Sequence, residues 1–249
     1  MLRKEVRGEV MIRSAVLLAA GRGKRQRPYT DETPKPLLRV GGRATLDYGL
    51  TALTQAGIER ACIVTHHLEE KIFDFVGDGS KWKLEVTFAH QNELRGNGDA
   101  LLSVPREWLF DEPVMVLATD YILEEMVLLD LVNAHHRYQA HITMSLKECP
   151  VYDLMSRSSV DVDADWRVKK IIEKPTLDQI MSPYAASILF IFPPEIWEYL
   201  PQVQPSARGE IEMQAAVQKM IEDGYKAYGL LQPAPEEWKP ELMEKVKNS

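Results

Sequence analysis

Short apolar runs alternate with amphipathic stretches through the first 146 residues of the chain. Continuous or alternating apolar runs predict strands, and apolar residues at three- and four-residue spacing predict helices. The predicted strands are residues 14–19, 60–65, 84–89, 114–118 and 141–146, and the predicted helices are residues 44–56, 68–76, 98–108 and 126–138. Strands and helices in this order form right-handed βαβ units. The pattern therefore predicts an α/β fold with a doubly wound, mostly parallel sheet covered on both faces.

The remaining residues follow a different pattern. They predict a hairpin of residues 159–162 and 168–173, strands at 185–192 and 225–230, and helices at 210–223 and 235–246. We expect these elements to form a small substrate lobe against the sheet. The chain is then one domain, 1–249, with a core at about 12–146 and a lobe at about 147–249. Residues 1–12 are charged and lack periodicity, which predicts an arm or an extra edge element.

Composition narrows the choice of partners. With 45% hydrophobic and 27% charged residues, the chain resembles ordinary soluble globular proteins. The net charge of -7 argues against a nucleic-acid partner, whose binding usually needs a basic surface. An acidic protein can still contain a basic pocket, so an anionic small molecule stays compatible with the charge. No run approaches the roughly 18 apolar residues of a membrane span, so no membrane partner is expected.

The short apolar run after Arg13 resembles the core of an export signal. It is too short for that role, and it is followed at once by the basic residues Arg22, Lys24, Arg25 and Arg27. A translocated segment is rarely followed so soon by this much positive charge. The sequence therefore predicts a cytoplasmic protein.

The first predicted strand runs directly into a glycine-rich loop. The loop falls at the carboxyl edge of the sheet, where open α/β folds bind ligands. Glycines allow a sharp turn and a close backbone approach, and successive free N–H groups form an anion-binding nest. The strand end and loop comprise Leu18, Ala19, Ala20, Gly21, Arg22, Gly23, Lys24 and Arg25. Glycines beside so many basic side chains predict a triphosphate site.

Two common nucleotide-binding motifs do not match this loop. A dinucleotide fingerprint needs a third glycine where the chain has Gln26, and the P-loop pattern is missing. A further basic position follows, since Lys35 lies between Pro34 and Pro36. Prolines restrict the backbone on both sides, so we expect Lys35 to be a second phosphate contact on a stiff segment.

Residues 18–25, 27–30 and 34–38 together resemble the signature of the sugar-phosphate nucleotidyltransferases, which include glucose-1-phosphate thymidylyltransferases and uridylyltransferases. The resemblance covers about residues 12–230 and implies a Rossmann-like nucleotidyltransferase fold, in which the core binds the nucleotide. It implies an enzyme that joins a nucleoside triphosphate, dTTP or UTP, to a sugar-1-phosphate and releases pyrophosphate. It also implies Mg²⁺ as cofactor and is compatible with a homo-oligomer.

Later segments extend the resemblance. Gln91 and Gly96 resemble the family's base-reading segment, in which a glutamine amide bonds the base edge and a glycine lets the backbone approach it. Asp120 follows the predicted strand 114–118 at the position where the family binds Mg²⁺. Thr119 replaces the usual glycine there, which is expected to narrow the pocket.

The resemblance also implies a role for each charged residue. Arg25 contacts the β- and γ-phosphates, Lys35 stabilises charge near the α-phosphorus, and backbone N–H groups of residues 20–24 cradle the triphosphate. Glu173 and Lys174 match the family's Glu-Lys-Pro motif, in which the glutamate contacts sugar hydroxyls and the lysine holds the sugar phosphate. The reaction is then an in-line displacement at the α-phosphorus, driven by positioning and positive charge.

Two segments depart from the family pattern. Residues 185–187 read Ala-Ala-Ser where the family often has Asn-Ala-Gly, which leaves sugar recognition open. Leu231 occupies the position of a second metal-binding aspartate, for which Asp223, Glu210 and Glu212 are candidate replacements. Two alternatives therefore stay open. One is a cytidylyl- or guanylyltransferase for a non-sugar phosphate, and the other is a non-catalytic regulatory relative that binds nucleotide sugars.

Overall fold

A computed structural model describes residues 11–244, so nearly all of the expected N-terminal arm at residues 1–12 lies outside the described residues. The strands are β1 (Ser14–Leu18), β2 (Arg39–Val40), β3 (Arg43–Ala44), β4 (Arg60–Thr65), β5 (Glu85–His90), β6 (Val114–Ala118), β7 (Tyr121–Ile122), β8 (Ile142–Glu148), β9 (Ser158–Val162), β10 (Val168–Glu173), β11 (Tyr184–Phe192), β12 (Ala227–Leu231) and β13 (Glu236–Glu237). The α-helices are α1 (Thr45–Gln55), α2 (Glu69–Val76), α3 (Asn97–Leu102), α4 (Glu125–Tyr138), α5 (Val151–Leu154), α6 (Ile196–Tyr199) and α7 (Met213–Glu222).

The central sheet has seven strands in the order β12-β8-β11-β6-β1-β4-β5. β1 pairs in parallel with β4 and β6, β4 with β5, and β8 with β12. β11 is antiparallel to both β6 and β8, so in the sheet as described it runs against the other strands. The prediction of a mostly parallel α/β sheet is confirmed. Its carboxyl ends meet at one edge, which is where the glycine loop and Asp120 emerge.

Both faces of the sheet are covered by helices. Neighbouring residues of β1 face opposite sides, as they must in a pleated strand. Leu17 packs in one core with Leu50 of α1 and Leu128 of α4, whereas Val16 belongs to a second core with Leu101 of α3 and Val217 of α7. Burial on both sides explains why β1 is continuously apolar instead of alternating.

The predicted hairpin is present as β9 and β10, which form a two-stranded sheet. At its turn, the Asp163 carboxylate accepts the backbone N–H groups of Asp165 and Arg167. Ser158 Oγ accepts the Ala186 N–H at 2.8 Å, which fastens β9 beside β11. The strands β11 and β12, which were expected in the lobe, belong to the central sheet. The strands expected in the lobe thus divide between the central sheet and the separate hairpin.

Two predicted helices differ from the structure. The helix expected at 98–108 ends at Leu102, because Pro105 disfavours helical backbone in the residue before it, and Arg106–Trp108 forms a short 3₁₀ turn instead. The helix expected at 235–246 is wrong within the described residues. There, Glu236–Glu237 is extended and pairs with β7, and Pro240–Glu244 is a 3₁₀ helix.

Trp238 explains this extended conformation. Its ring is buried and its Nε1–H donates to the Arg39 carbonyl at 3.1 Å. The N–H of the same residue donates to the Asp120 carbonyl at 3.3 Å. These contacts hold β13 against the segment that follows Asp120.

In the described part of the chain, no helix is both long and apolar enough to cross a bilayer.

Candidate active site

A cavity of about 420 Å³ opens at the carboxyl edge of the sheet, beside the ends of β1 and β6. Much of its lining was singled out from the sequence. The predicted residues that line it are Leu18, Ala19, Ala20, Gly21, Arg25, Lys35, Gln91, Gly96, Asp120 and Glu173. An adjoining cavity shares Gly21, Arg25 and Lys35 with it, and also contacts Arg22, Gly23 and Lys24. The glycine loop, the Lys35 segment and Glu173 thus converge on one region.

The two glycines of the loop differ in what they allow. Gly23 has φ +61, and a Cβ there would lie 2.7 Å from Thr30 Cγ2, so a side chain would strain both the backbone and the packing. Thr30 Oγ1 also donates to the Gly23 carbonyl at 2.8 Å, which fixes the turn. A Cβ on Gly21 would meet no protein atom within 4 Å. The space above Gly21 is therefore open to a ligand.

Lys35 and Asp120 form an ion pair on the cavity floor. Lys35 begins a 3₁₀ turn, Lys35–Leu37, that is preceded by the extended Pro34 and contains the buried Pro36. This agrees with the stiff backbone expected between two prolines. Asp120 follows β6, and Thr119 beside it donates from Oγ1 to the Leu18 carbonyl at 3.0 Å. That hydrogen bond ties the ends of β1 and β6 together.

Gln91 is buried, and its amide is held in one orientation. Its Nε2 donates to Asp99 Oδ2 at 2.8 Å and to the Gly96 carbonyl at 3.2 Å. Arg95 Nη2 holds the same aspartate at 2.9 Å. Since both amide hydrogens are used within the protein, the group that Gln91 can offer a ligand is its carbonyl oxygen, an acceptor.

Glu173 lines the cavity with a carboxyl group that favours its neutral form. Burial and, to a lesser extent, repulsion from the neighbouring Glu212 raise its pKa to about 8, against the opposing charges of Lys174 and Arg208. At neutral pH most of this carboxyl is protonated. It can then donate a hydrogen bond as well as accept one.

Lys174 is directed elsewhere. Its Nζ lies 2.6 Å from Glu210 Oε2, and among the described residues it lines neither of the two cavities. Its backbone has φ 47, a left-handed conformation that is uncommon for lysine. Glu210 contacts the second cavity, so the pair lies beside the site. The charge of Lys174 is neutralised there.

Three charged residues near the cavity were missed from the sequence. Arg157 and Glu237 line it, and Arg157 Nη1 lies 2.9 Å from Glu237 Oε1. The nearly buried Lys147 approaches the same Oε1 at 3.6 Å. Glu237 was missed because a helix was predicted at residues 235–246, whereas its backbone is extended and pairs with β7. The available signal for Lys147 was its position directly after the apolar strand predicted at 141–146.

The three carboxylates considered as replacements for the second metal aspartate are engaged elsewhere. Asp223 caps the end of α7, bonds Tyr199 and Lys219, and lies at a different cavity. Glu210 pairs with Lys174, and Glu212 pairs with Arg208. Leu231 is 42% exposed and does not line the cavity. Glu237 is instead the carboxylate that joins Asp120 there.

The donor set suits Mg²⁺, which binds through one or two carboxylates together with substrate phosphates. Asp120 and Glu237 present hard oxygen ligands in the same cavity. Within residues 11–244, no group of three or more His, Cys, Asp or Glu residues forms a complete protein cage for a metal. Any Mg²⁺ bound here would therefore depend on oxygen atoms of the substrate.

A doubly wound sheet with a cationic glycine loop and a carboxylate at its carboxyl edge is typical of phosphate-binding α/β proteins. A family model for nucleotidyl transferases matches residues 14–239. The chain belongs to this family. The resemblance to sugar-phosphate nucleotidyltransferases is thereby confirmed.

Curated relatives agree with this assignment. The low-salt glycan biosynthesis nucleotidyltransferase Agl11 of Haloferax volcanii is 33% identical over 211 residues, which cover 84% of this chain and 57% of Agl11. The UTP–glucose-1-phosphate uridylyltransferase AglF of the same organism is also 33% identical, with 84% of both chains covered. A glucose-1-phosphate thymidylyltransferase of Streptomyces antibioticus is 32% identical, with 84% and 58% covered. The chain thus spans somewhat over half the length of two of these relatives.

Solved structures match the fold. A UDP-glucose pyrophosphorylase complexed with UDP-glucose has a TM-score of 0.78 at 21% identity, with 88% of this chain and 90% of that chain covered. A UDP-glucose pyrophosphorylase from Acinetobacter baumannii has a TM-score of 0.73 at 21% identity, with 91% of this chain and 87% of that chain covered. At this identity the likeness concerns the fold, and it confirms the Rossmann-like nucleotidyltransferase architecture.

Proposed function

We propose that the protein transfers a uridylyl or thymidylyl group from UTP or dTTP to a sugar-1-phosphate and releases pyrophosphate. The observation that carries this proposal is the convergence of Arg25, Lys35 and Asp120 on one cavity at the carboxyl edge of the sheet. The named activities of the uridylyltransferase and thymidylyltransferase relatives support it. We also infer a cytoplasmic location, for which the basic loop after the short apolar run is the support.

The proposed chemistry is one displacement. An oxygen of the sugar phosphate attacks the α-phosphorus, a new P–O bond forms, and the bond from that phosphorus to the pyrophosphate oxygen breaks. The attacking phosphate is already ionised, so the step needs no general base. Its main barrier is the repulsion of two polyanions and the loss of their orientational freedom, which fixed positive charges and positioning lower.

Each basic residue takes one part of this charge. Arg25 holds the β- and γ-phosphates and then the leaving pyrophosphate, while backbone N–H groups of residues 20–24 cradle the chain of phosphates. Lys35 stabilises the charge that develops around the α-phosphorus. Lys174 supports the sugar phosphate from the rim after it exchanges Glu210 for that anion. Glu173, in its protonated form, bonds a sugar hydroxyl.

Magnesium completes the proposed site. Asp120 would hold it, and Glu237 is the available second carboxylate. When bound, Mg²⁺ neutralises phosphate charge and helps to orient the triphosphate. Lys35 must then share Asp120 with the ion. The direct Lys35–Asp120 ion pair therefore belongs to the protein without substrate.

The base preference follows from Gln91. Its free carbonyl oxygen accepts a hydrogen bond from the imide N–H of uracil or thymine. Cytosine has no hydrogen on the corresponding ring nitrogen and would place a lone pair against that oxygen. The held amide thus favours UTP and dTTP over CTP.

The first test measures pyrophosphate release with Mg²⁺, each nucleoside triphosphate and a panel of sugar-1-phosphates. We expect turnover with UTP or dTTP and its loss in Asp120→Asn, since one carboxylate ligand is removed. Asp130→Asn, an exposed carboxylate on α4, serves as the matched control and should keep the wild-type rate. Turnover by Asp120→Asn at the control's rate would exclude the metal role. Tight nucleotide binding without any pyrophosphate release would favour the regulatory alternative.

A further inference from the structure

We propose that Arg157 binds the phosphate of the acceptor, the sugar-1-phosphate, and holds it for attack. This inference rests on the proposed function and assigns a role to a residue outside the recognised sequence motifs. Arg157 precedes β9 and lines the same cavity as Asp120 and Glu173. It therefore shares one cavity with the residues proposed for the triphosphate and with the carboxyl proposed for the sugar.

The charge balance around Arg157 calls for an anion. Glu237 Oε1 lies 2.9 Å from Arg157 Nη1 and 3.6 Å from Lys147 Nζ, so two cations share one carboxylate. An excess positive charge in a partly desolvated place is costly unless a counter-ion joins it. A phosphate is such a counter-ion.

Accessibility decides which of the two cations meets the ligand. The Lys147 side chain is 5% exposed, whereas that of Arg157 is 35% exposed and borders the cavity. Arginine also offers a planar fork of donors that matches two phosphate oxygens at once. Arg157 can thus bond the phosphate while one nitrogen stays near Glu237. Lys147 stays buried beside Glu237.

Part of the cavity wall is apolar and offers the phosphate no hydrogen bond. Ala186 and Ile188 of β11 contribute apolar surface to the cavity, and Ser187 between them is buried. Lys174, directly across the ladder, donates its backbone N–H to the Arg157 carbonyl but turns its side chain to Glu210. Lys174 also has a left-handed backbone conformation, and its side chain points to Glu210 instead of into the cavity. Arg25 and Lys35, the other cations that line this cavity, are assigned above to the triphosphate, which leaves Arg157 for the acceptor phosphate.

The test compares Arg157→Gln and Arg157→Lys with Lys174→Gln and with Lys169→Gln. Lys169 is the control, because it pairs with Asp163 on the exposed side of β10. Initial rates of pyrophosphate release are measured with UTP and Mg²⁺ against varied glucose-1-phosphate. We expect Arg157→Gln to raise the KM for glucose-1-phosphate at least tenfold and to change the KM for UTP less than twofold. Arg157→Lys should recover part of the loss, and Lys174→Gln should have a smaller effect.

A binding measurement separates this inference from the activity. Calorimetry follows glucose-1-phosphate as it binds to the protein loaded with α,β-methylene-UTP, in the wild type and in Arg157→Gln. Loss of binding in the variant supports the phosphate role even if the wild type releases no pyrophosphate, an outcome that would overturn the proposed function alone. Equal binding in both proteins, or absence of binding in the wild type, overturns the inference.

A second acceptor distinguishes the phosphate from a carboxylate. Glucuronic acid 1-phosphate carries both groups, whereas glucose-1-phosphate carries the phosphate alone. If Arg157 binds the phosphate, Arg157→Gln weakens both acceptors by the same factor. A loss confined to the glucuronic acid compound would assign Arg157 to the sugar carboxylate and overturn the proposal. Thermal unfolding of each variant verifies that the fold is retained.

Discussion

Glu173 is the residue whose ionisation should couple the site to pH. Its folded pKa of about 8 lies above the ordinary value of 4.5, because burial and Glu212 disfavour the charged form. Between these two values the folded protein holds a proton that the unfolded chain releases. Stability is therefore greatest, as far as this group is concerned, below pH 4.5 and falls as the pH rises toward 8.

Replacing Glu173 with glutamine should remove this pH dependence. One proton of difference corresponds to a slope of at most about 1.4 kcal/mol per pH unit. From pH 5.5 to 7.5, we expect the wild-type free energy of unfolding to fall by about 2 kcal/mol more than that of Glu173→Gln. Urea unfolding at both pH values measures it. Glu85→Gln, an exposed carboxyl on β5, should behave as the wild type, and parallel curves for all three proteins would contradict the raised pKa.

At the scale of elements, β13 determines the composition of the site. It pairs with β7 immediately after Asp120 and thereby carries Glu237 into the cavity. Trp238 anchors it in a small core with Leu38, Val40 and Leu242. A strand of two residues has too few ladder hydrogen bonds to be stable alone. Its position therefore depends on the tryptophan.

Trp238→Ala should release β13. Removing a buried tryptophan side chain typically costs about 3–5 kcal/mol of stability. We expect urea unfolding to show a loss of that order, and amide hydrogen exchange to accelerate at residues 236–237 and 121–122 well beyond the change in β1 and β6. Leu231→Ala, at the exposed end of β12, is the control and should cost little. Slow exchange at residues 236–237 in Trp238→Ala would refute this anchoring role.

Elements with a strong local pattern could be predicted from the sequence. The strands β1, β4 and β6 are buried apolar runs, and their order with α1, α2 and α4 is typical of a doubly wound sheet. The glycine loop and Lys35 carried enough local chemistry to be singled out. Elements set by distant contacts could not be predicted in this way. Glu237 reaches the cavity only because Trp238 packs against a segment some two hundred residues earlier in the chain.

Side-chain direction was the other limit. Sequence spacing placed Lys174 next to Glu173 at the end of β10, which is correct for the backbone. It could not reveal that Lys174 turns to Glu210, since the partner lies 36 residues away. Arg157 belongs to no local motif. Its neighbours in the cavity come from other strands, which the sequence around it does not reveal. A charged residue acquires its role from the fold in both cases.

At the scale of the whole molecule, the direction of the strands concentrates the positive charge. The glycine loop, the Asp120 segment and the segment after β4 all follow parallel strands and lie at the same edge of the sheet. The protein as a whole has a net charge of -7. An acidic surface with a local cationic cleft repels polyanions everywhere except at the site. Arg25 lines both cavities at this edge, where a triphosphate can reach it.

Nucleotide binding should therefore stabilise the entire domain, because the site joins segments from β1, β5 and β6. A ligand at 100 times its Kd adds about 2.7 kcal/mol to the free energy of unfolding. For a chain of this size, that corresponds to a rise in Tm of about 5 °C or more. We expect this rise with UTP or dTTP and Mg²⁺, measured by scanning calorimetry at equal triphosphate concentrations. CTP should produce a smaller rise, because its ring nitrogen cannot donate to the Gln91 oxygen. Since all three triphosphates carry the same phosphate charge, equal shifts would mean that the phosphates alone are bound and that Gln91 does not select the base.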